Sequence, residues 1–265
     1  MTMNSPSPFF FLKVSCVLHW GWKINLVPFS KSRPPLMVPP PTTLIGALAY
    51  PLNRMLKIAE ALHDYSGAEY LRDTLKYVGF CINAPLTNYF DLTKISFFYR
   101  KEARSDAVAF GKTYTLSQKM PQYEVPIITI CYIIDEDKAL RKFGEGIKEK
   151  LIEAALGITR LGSKESLVAP LSLSYGEARL VSQRRGKTIF SFLRRAASHI
   201  FEGSFITSEV VDWERFQIGD YSHVEREVMI VPYDTTEYLP KPVDVELSSE
   251  YTFIDAGGEL VVTRR

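Results

Sequence analysis

The residues that build catalytic and metal centres are scarce in this chain. Three cysteines and four histidines are spread over 265 residues. Cys16, Cys81 and Cys131 are odd in number and far apart, and no Cys-x-x-Cys or His-x-x-x-His spacing occurs, so neither a disulfide framework nor a metal site is expected. Two of the cysteines alternate with apolar residues in strand-like runs, the pattern of buried thiols. The histidines, His19, His63, His199 and His223, share no segment. No apolar run reaches the ~18 residues of a membrane span. The run at 9–18 is broken by Lys13, has no basic residue before it and no small-residue cleavage site after it, so it reads as neither a signal peptide nor a lipoprotein box ahead of Cys16. A cytoplasmic protein is expected. Gly144 and Gly146 make half of a dinucleotide fingerprint, but Glu149 stands where the third glycine belongs and would repel a pyrophosphate. No cofactor is expected.

The remainder has the composition of a soluble globular protein, 46% hydrophobic and 23% charged. Its length allows one large domain or two small ones. The formal net charge of +2 hides an asymmetry. Residues 1–200 carry 27 Lys/Arg against 16 Asp/Glu, whereas residues 201–259 carry three basic residues, Arg215, Arg226 and Lys241, against 14 acidic ones. A basic body with an acidic C-terminal part suits a polyanion on one side. The plain alternative is that both surfaces are only solvated.

Hydrophobic periodicity predicts the elements. Residues 9–20 read as a strand with Phe10, Leu12, Val14, Cys16, Leu18 and Trp20 on an apolar face and Phe9, Phe11, Lys13, Ser15, Val17 and His19 on a partly open one. A proline-rich loop, 21–41, leads to a helix whose stripe is Leu44, Leu48, Leu52, Met55, Leu56, Ala59 and Leu62. Pro51 predicts a kink or an end near Tyr50, with a second helical piece to about Tyr65. Segment 68–76 also reads as helical. Strands are expected at Tyr77–Ala84 and at 126–134, the latter apolar on both faces and therefore central. Asp135 to Asp137 caps a second helix with Phe143, Ile147, Leu151 and Ala155 buried and Gly157 at its end. Residues 165–173 follow as a fourth strand, which Pro170 places at an edge or breaks. Strand, helix, strand, strand, helix, strand is a ferredoxin-like (RRM-like) βαββαβ order in an α+β protein, with one sheet face left free of helices. The expected division is a ferredoxin-like domain at 1–175, with a thumb-like insertion at about 87–124. A basic linker and an acidic β-rich region follow at 176–265. Within the latter, 188–201 reads as a short helix and four strands follow it.

Four basic or phosphate-suited stretches carry the chemistry. Pro39-Pro40-Pro41-Thr42-Thr43 feeds a helix that Thr42 or Thr43 can cap, and helix N-termini attract phosphate. Lys31 and Arg33 lie in the loop before it. By itself this stretch describes nothing more than a capped core helix. Between Lys94 and Lys119 there are six basic and two acidic residues, interleaved with Phe97, Phe98, Tyr99, Phe110 and Tyr114. A basic hairpin with aromatics grips a phosphate backbone and stacks bases; it is otherwise an ordinary surface hairpin. Ile158 to Lys164 is a basic turn containing Gly162. Arg184, Arg185, Lys187, Arg194 and Arg195 follow with no acid among them.

Two motifs, Pro-Pro-Pro-Thr-Thr-Leu-Ile-Gly-Ala-Leu at 39–48 and Arg-Leu-Gly-Ser-Lys-Glu-Ser at 160–166, stand in an order that resembles CRISPR-associated protein family five. That family comprises RAMP-superfamily subunits of type I Cascade complexes, and the likeness is greatest to the archaeal type I-A branch. The layout matches over roughly the first 175 residues. The resemblance implies a non-catalytic subunit that holds the 5′ repeat-derived handle of the crRNA and touches the backbone and large subunits of the complex, with no membrane. Its RNA-facing residues would be Lys31, Arg33, Thr42, Thr43, Lys101, Arg104, Lys112, Arg160, Gly162, Ser163 and Lys164, to which the basic run after residue 176 adds Arg184 and Arg185. One branch of the family cuts repeat RNA instead. Such cleavage needs a base, an acid and a cation, for which His19, Tyr132 and Lys164 are the available side chains. No catalytic residue is assigned, and no metal ligand. A scaffold that binds an acidic protein rather than RNA is the third reading.

Overall fold

The computed structural model describes residues 7–25, 35–62, 65–99, 101–115, 125–215 and 224–265. In chain order the principal elements are β1 (Phe9–Leu18), α1 (Pro41–Leu56), β2 (Leu75–Asn83), β3 (Leu86–Tyr99), β4 (Glu102–Thr115), β5 (Ile127–Asp135), α2 (Glu136–Phe143) and α3 (Ile147–Leu156). They continue with β6 (Val168–Val181), β7 (Arg185–Thr188), β8 (Ala197–Glu202), β9 (Phe205–Val211), β10 (Arg226–Pro232), β11 (Val243–Leu247), β12 (Tyr251–Asp255) and β13 (Leu260–Arg264). The architecture is α+β and sheet-rich.

The main sheet runs β13-β12-β6-β1-β5-β2. Every neighbouring pair is antiparallel. The β-branched, apolar β5 lies inside it, as its two-faced hydrophobicity requires. One face of β1, Phe10 to Leu18 in alternation, is buried under α1 and α3. Leu44, Ile45, Leu48 and Leu52 of α1 are fully buried there, each stabilising the fold by about 2 kcal/mol. Asp135 caps α2 by accepting the Lys138 amide at 2.9 Å. Leu171 sits at the register shift where β1 pairing passes from Ser172 to Pro170, and residues 168–178 pair on one side only, so Pro170 does mark an edge.

Several expectations change. Helix α1 runs through Pro51 to Leu56, and the Pro51 ring packs against Gly157, whose backbone leaves no room for a Cβ beside it. The helix stops at Lys57, in the left-handed region at φ 57°, and does not resume toward Tyr65. Gly144 (φ 84°) and Gly146 (φ 74°) divide the second helix into α2 and α3. Residues 188–201 form no α-helix: β7, a single 3₁₀ turn at Arg194–Ala196 and β8 occupy them. The inserted segment is one continuous hairpin of two fourteen-residue strands, about 45 Å long at ~3.3 Å per residue. The end of the expected 87–124 insertion, residues 116–124, lies outside the described residues.

The sheet face without helices is not open along its length. Phe9, Phe11, Tyr77, Cys131, Ile133, Phe190, Ile254 and Val261 close over it as a second core. Tyr77 donates to Ser191 O at 2.7 Å, and Lys13 pairs with Glu259 at 2.5 Å. The division expected at 175/176 falls inside β6, and β12 and β13 extend the first sheet. Most of the acidic stretch therefore completes that sheet or packs against it.

Candidate nucleic-acid interface

The N-terminus of α1, the loop after α3 and the base of the hairpin converge beyond one end of the sheet. Three prolines lead into α1. Pro40 is the N-cap and Pro41 the first helical residue, with no side-chain cap. Thr42 and Thr43 thus stand inside the first turn and do not cap it. Pro41 has no N–H, and the Thr43 and Leu44 amides both reach Pro40 O, so the helix end offers few free donors. Phosphate capture by the helix terminus alone is correspondingly weak, and side chains carry the electrostatics.

The groove face of α1 carries Thr42, Thr43, Gly46, Tyr50 and Asn53. They line a cleft of about 320 Å³ together with Arg160 and Gly162 from the loop after α3. Two sequence-predicted stretches more than a hundred residues apart thus meet. The Arg160 guanidinium lies 4.4 Å from the Tyr50 ring centroid. Arg54 donates to Tyr50 Oη at 2.7 Å. That bond raises the Arg54 pKa above its ordinary value. Gly46 does not serve close helix–sheet packing: a Cβ there would meet nothing within 4 Å, and it leaves the groove open. Asn53 is 2% exposed, and its Oδ1 has no hydrogen-bond partner among the described residues.

The loop 160–166 is held rigid from below. Gly162 (φ 94°) presses against Lys23 O and Ile24, a position no Cβ fits. The Ser163 amide donates to Lys23 O at 3.3 Å, and the Lys23 amide donates to Ser166 Oγ at 2.9 Å. Trp20 Nε1 donates to Glu165 O at 2.7 Å. Ser163 and Gly162 therefore shape the loop, while the exposed Lys164 remains a candidate for phosphate. The Ser163 hydroxyl, its own amide, and Lys23 and Lys112 nearby hold the Glu165 carboxyl below its usual range.

The hairpin base joins the same surface. Gly21 (φ 128°) lets Gly21–Trp22 pair with Thr113 and Tyr114 of β4, and a Cβ there would strike Thr113 O. Trp20, Tyr114 and Tyr89 form an aromatic cluster, with centroids 5.6 and 6.0 Å apart, and Lys112 Nζ lies 5.4 Å from the Trp20 ring. Lys101 and Arg104 sit at the far tip, where Arg104 pairs with Glu102 at 3.2 Å. The tip aromatics Phe97, Phe98 and Tyr99, and Phe110, have side chains outside the described set.

Of the remaining predicted residues, Arg184 and Arg185 do not join this surface. Lys31 and Arg33 lie outside the described residues. Arg184 donates to Leu247 O at 2.9 Å. Arg185 makes a two-bond contact with Asp244, at 3.0 and 2.8 Å, and stacks on Phe201 at 3.9 Å. Both are committed to the C-terminal part. Arg195 is tied to Asp212, Glu214, Glu227 and Tyr251. Tyr132 is fully buried, donates to Leu44 O at 2.8 Å, and burial raises its pKa well above the ordinary phenol range. His19 and Lys164 are exposed, but Tyr132 cannot complete a cleavage triad with them. Burial pushes the Cys16 and Cys81 thiols up to about 12, so neither is a nucleophile at neutral pH. Among the described residues there is no cluster of three metal-ligating side chains, and no helix is long and apolar enough to cross a membrane.

Tyr50, Asn53, Trp20 and Lys23 were not singled out from the sequence. The signal for the first two was present: 46, 50 and 53 follow i, i+4, i+7 on the face opposite the leucine stripe.

The scaffold is α+β and sheet-rich, with a long inserted hairpin and a cleft lined by Thr42, Thr43, Tyr50, Asn53, Glu60 and Arg160. The relatives are particular. No protein-family model matches the chain. Two curated proteins of Saccharolobus solfataricus, CRISPR-associated protein Cas5 3 and CRISPR system aCascade subunit Cas5 1, are each 29% identical over 259 residues. Each match covers 94% of this chain and 98% of the relative. Among solved structures, a CRISPR protein from Archaeoglobus fulgidus covers 97% of this chain and 100% of its own, with 17% identity and a TM-score of 0.64. That last likeness is one of fold. The resemblance to CRISPR-associated family five, in its archaeal form, thus extends along nearly the whole chain.

Proposed function

We propose that this protein is a crRNA-binding subunit of an archaeal type I CRISPR interference complex, holding the 5′ repeat-derived handle without cutting it. The observation that carries this reading is the convergence of the 39–48 and 160–166 motifs on one cleft beside the base of a projecting basic hairpin. The strand order β6-β1-β5-β2, with α1 and α2–α3 as the two crossovers, supports a ferredoxin-like core for the RNA-binding scaffold. The handle lies across the cleft and the exposed Lys164, and the hairpin reaches over RNA toward a backbone subunit. The large subunit contacts the remaining surface. Burial of Tyr132 supports the non-catalytic reading over repeat cleavage.

Ultraviolet crosslinking of the purified complex is the direct test. RNA should co-purify, and crosslinked peptides should map to 42–53 and 159–164. Absence of RNA in a correctly assembled complex removes the proposal in favour of a protein scaffold. Metal-free incubation with repeat RNA that yields product sensitive to His19→Ala would establish the ribonuclease instead.

A further inference from the structure

We infer that the free edge of β6 is completed by a strand from another subunit, an extended and uncharged segment that alternates apolar with hydroxyl side chains. The inference rests on the reading above only in taking the chain to be one subunit of a complex. Residues 168–178 pair with β1 alone, and β12 takes the outer side only from Arg179. In an antiparallel ladder alternate residues turn their N–H and C=O away from the partner strand. Among the described residues, no main-chain group pairs with those that 169–177 turn outward. Such edges are ordinarily blunted by lysine, proline or a bulge, and left bare they take up a foreign strand. Here Pro170 and the register shift at Leu171 guard only the entry, and Ser7 Oγ closes the other end by donating to Ala178 O. The six residues between, 172–177, have the length of an ordinary strand. No charge lies between Glu165 and Glu177 to repel a partner.

The two sides of the edge set the chemistry of what is added. Leu173 and Tyr175 stand opposite Val14 and Leu12, on the helix side of the sheet, and Ser172 and Ser174 stand opposite Ser15 and Lys13, on the other. Leu171 and Tyr175 are 61% and 54% exposed, and Leu156 is exposed on α3, which packs against β6. Ser15 Oγ lies 2.9 Å from Thr129 Oγ1, so a row of hydroxyls crosses the sheet and ends at Ser172. An added strand meets apolar side chains on one face and hydroxyls on the other, the kinds of cross-strand pair that stabilise a ladder. Two features favour a foreign strand over a second copy. Pro170 has no amide, and two-fold self-pairing would set it twice in one short ladder, where a foreign strand meets it once. The edge also leaves the candidate RNA-facing loop directly, Arg160 bridging to Leu167 just before β6, so a subunit seated beside the same RNA reaches it.

Hydrogen–deuterium exchange of the full chain, alone and in the purified complex, is the test. Alone, alternate amides of 171–177 should exchange freely; in the complex they should slow by about a hundredfold, as paired strands do. Leu171→Lys combined with Tyr175→Lys places charge at exposed positions of the edge without touching the core. This variant should keep the melting temperature of the free chain and either lose the protection or drop out of the complex. Leu171→Thr combined with Tyr175→Thr, neutral and suited to a strand, should keep both. Equal exchange of the edge in the two states overturns the inference, as does protection that survives the lysine variant. Protection already present in the free chain overturns it too, assigning the edge to a second copy if the chain sediments as a dimer and to the chain itself if it is a monomer. Protection that disappears when the RNA is digested in an intact complex assigns the edge to RNA and also overturns it. A protected edge in a complex that holds no RNA upholds the inference while removing the proposed function.

Discussion

Arginine 195 shows how one side chain can look like an RNA contact in the sequence and be structural in the fold. It belongs to a run of five cations without an acid, yet its guanidinium meets Asp212, which is 2% exposed, and Glu214 and Glu227. Removing it leaves the buried Asp212 with only Arg215, at 3.6 Å, and the Glu214 amide as partners. Arg195→Ala should lower unfolding free energy by about 1.5–3 kcal/mol, seen as a fall in denaturant midpoint, with little change in the salt dependence of RNA binding. A second case is Asp234. The Lys241 ammonium, then the Thr236 hydroxyl and amide and the Glu237 amide, hold its carboxyl far below its ordinary value. A depressed carboxyl contributes stability that is fully present above its unfolded pKa of about 4 and is lost as pH falls further. Asp234→Asn should therefore flatten the acid limb of the stability profile below about pH 4 and leave its shape near neutrality unchanged.

Among the elements, the hairpin offers the cleanest separation of stability from binding. Lys101 sits at its tip at φ 68°, a conformation that costs a non-glycine residue about 1 kcal/mol. Lys101→Gly should thus raise thermal stability slightly while weakening RNA binding and lowering the salt slope by ~0.7, the share of one phosphate contact on a single strand. Opposite signs in the two measurements would be hard to obtain from a purely structural residue. The elements also show what periodicity can and cannot convey. β1 and β5 were legible because one or both faces are continuously apolar, and Asp135 and Gly157 because caps are local. α1 continuing through Pro51 was not legible, since the helix is held by tertiary packing, including a contact of Pro51 with Gly157 over a hundred residues away. Residues 188–201 read as a helix from basic and apolar spacing, but pairing of Arg185–Thr188 and Ala197–Glu202 with Val243–Leu247 decided otherwise. In the candidate site, charged motifs were visible and the groove face of α1 was overlooked, because small and polar residues on a helix look like a solvated surface until something opposes them.

At the scale of the whole molecule, the acidic C-terminal stretch is part of the scaffold. Phe253–Asp255 pairs with the end of β6, and Thr263 Oγ1 donates to Lys76 O of β2 at 2.6 Å. Cutting the chain after residue 250 should therefore uncover the Phe9, Phe11, Ile133 cluster, and binding of an apolar dye with loss of a cooperative thermal transition is the expected outcome. A truncated protein that melts as sharply as the intact one would show that β12 and β13 are dispensable to the first sheet.

The Lys13–Glu259 pair closes a circuit between the first strand and the last hairpin of the sheet. This has a consequence for biosynthesis. A polypeptide leaving the ribosome can form β1, α1, β2, β5 and β6 early, but Phe11 stays uncovered and Lys13 unneutralised until residues near 260 emerge. The sheet is thus sealed late, and chains halted before that point carry an exposed apolar face that marks them as unfinished.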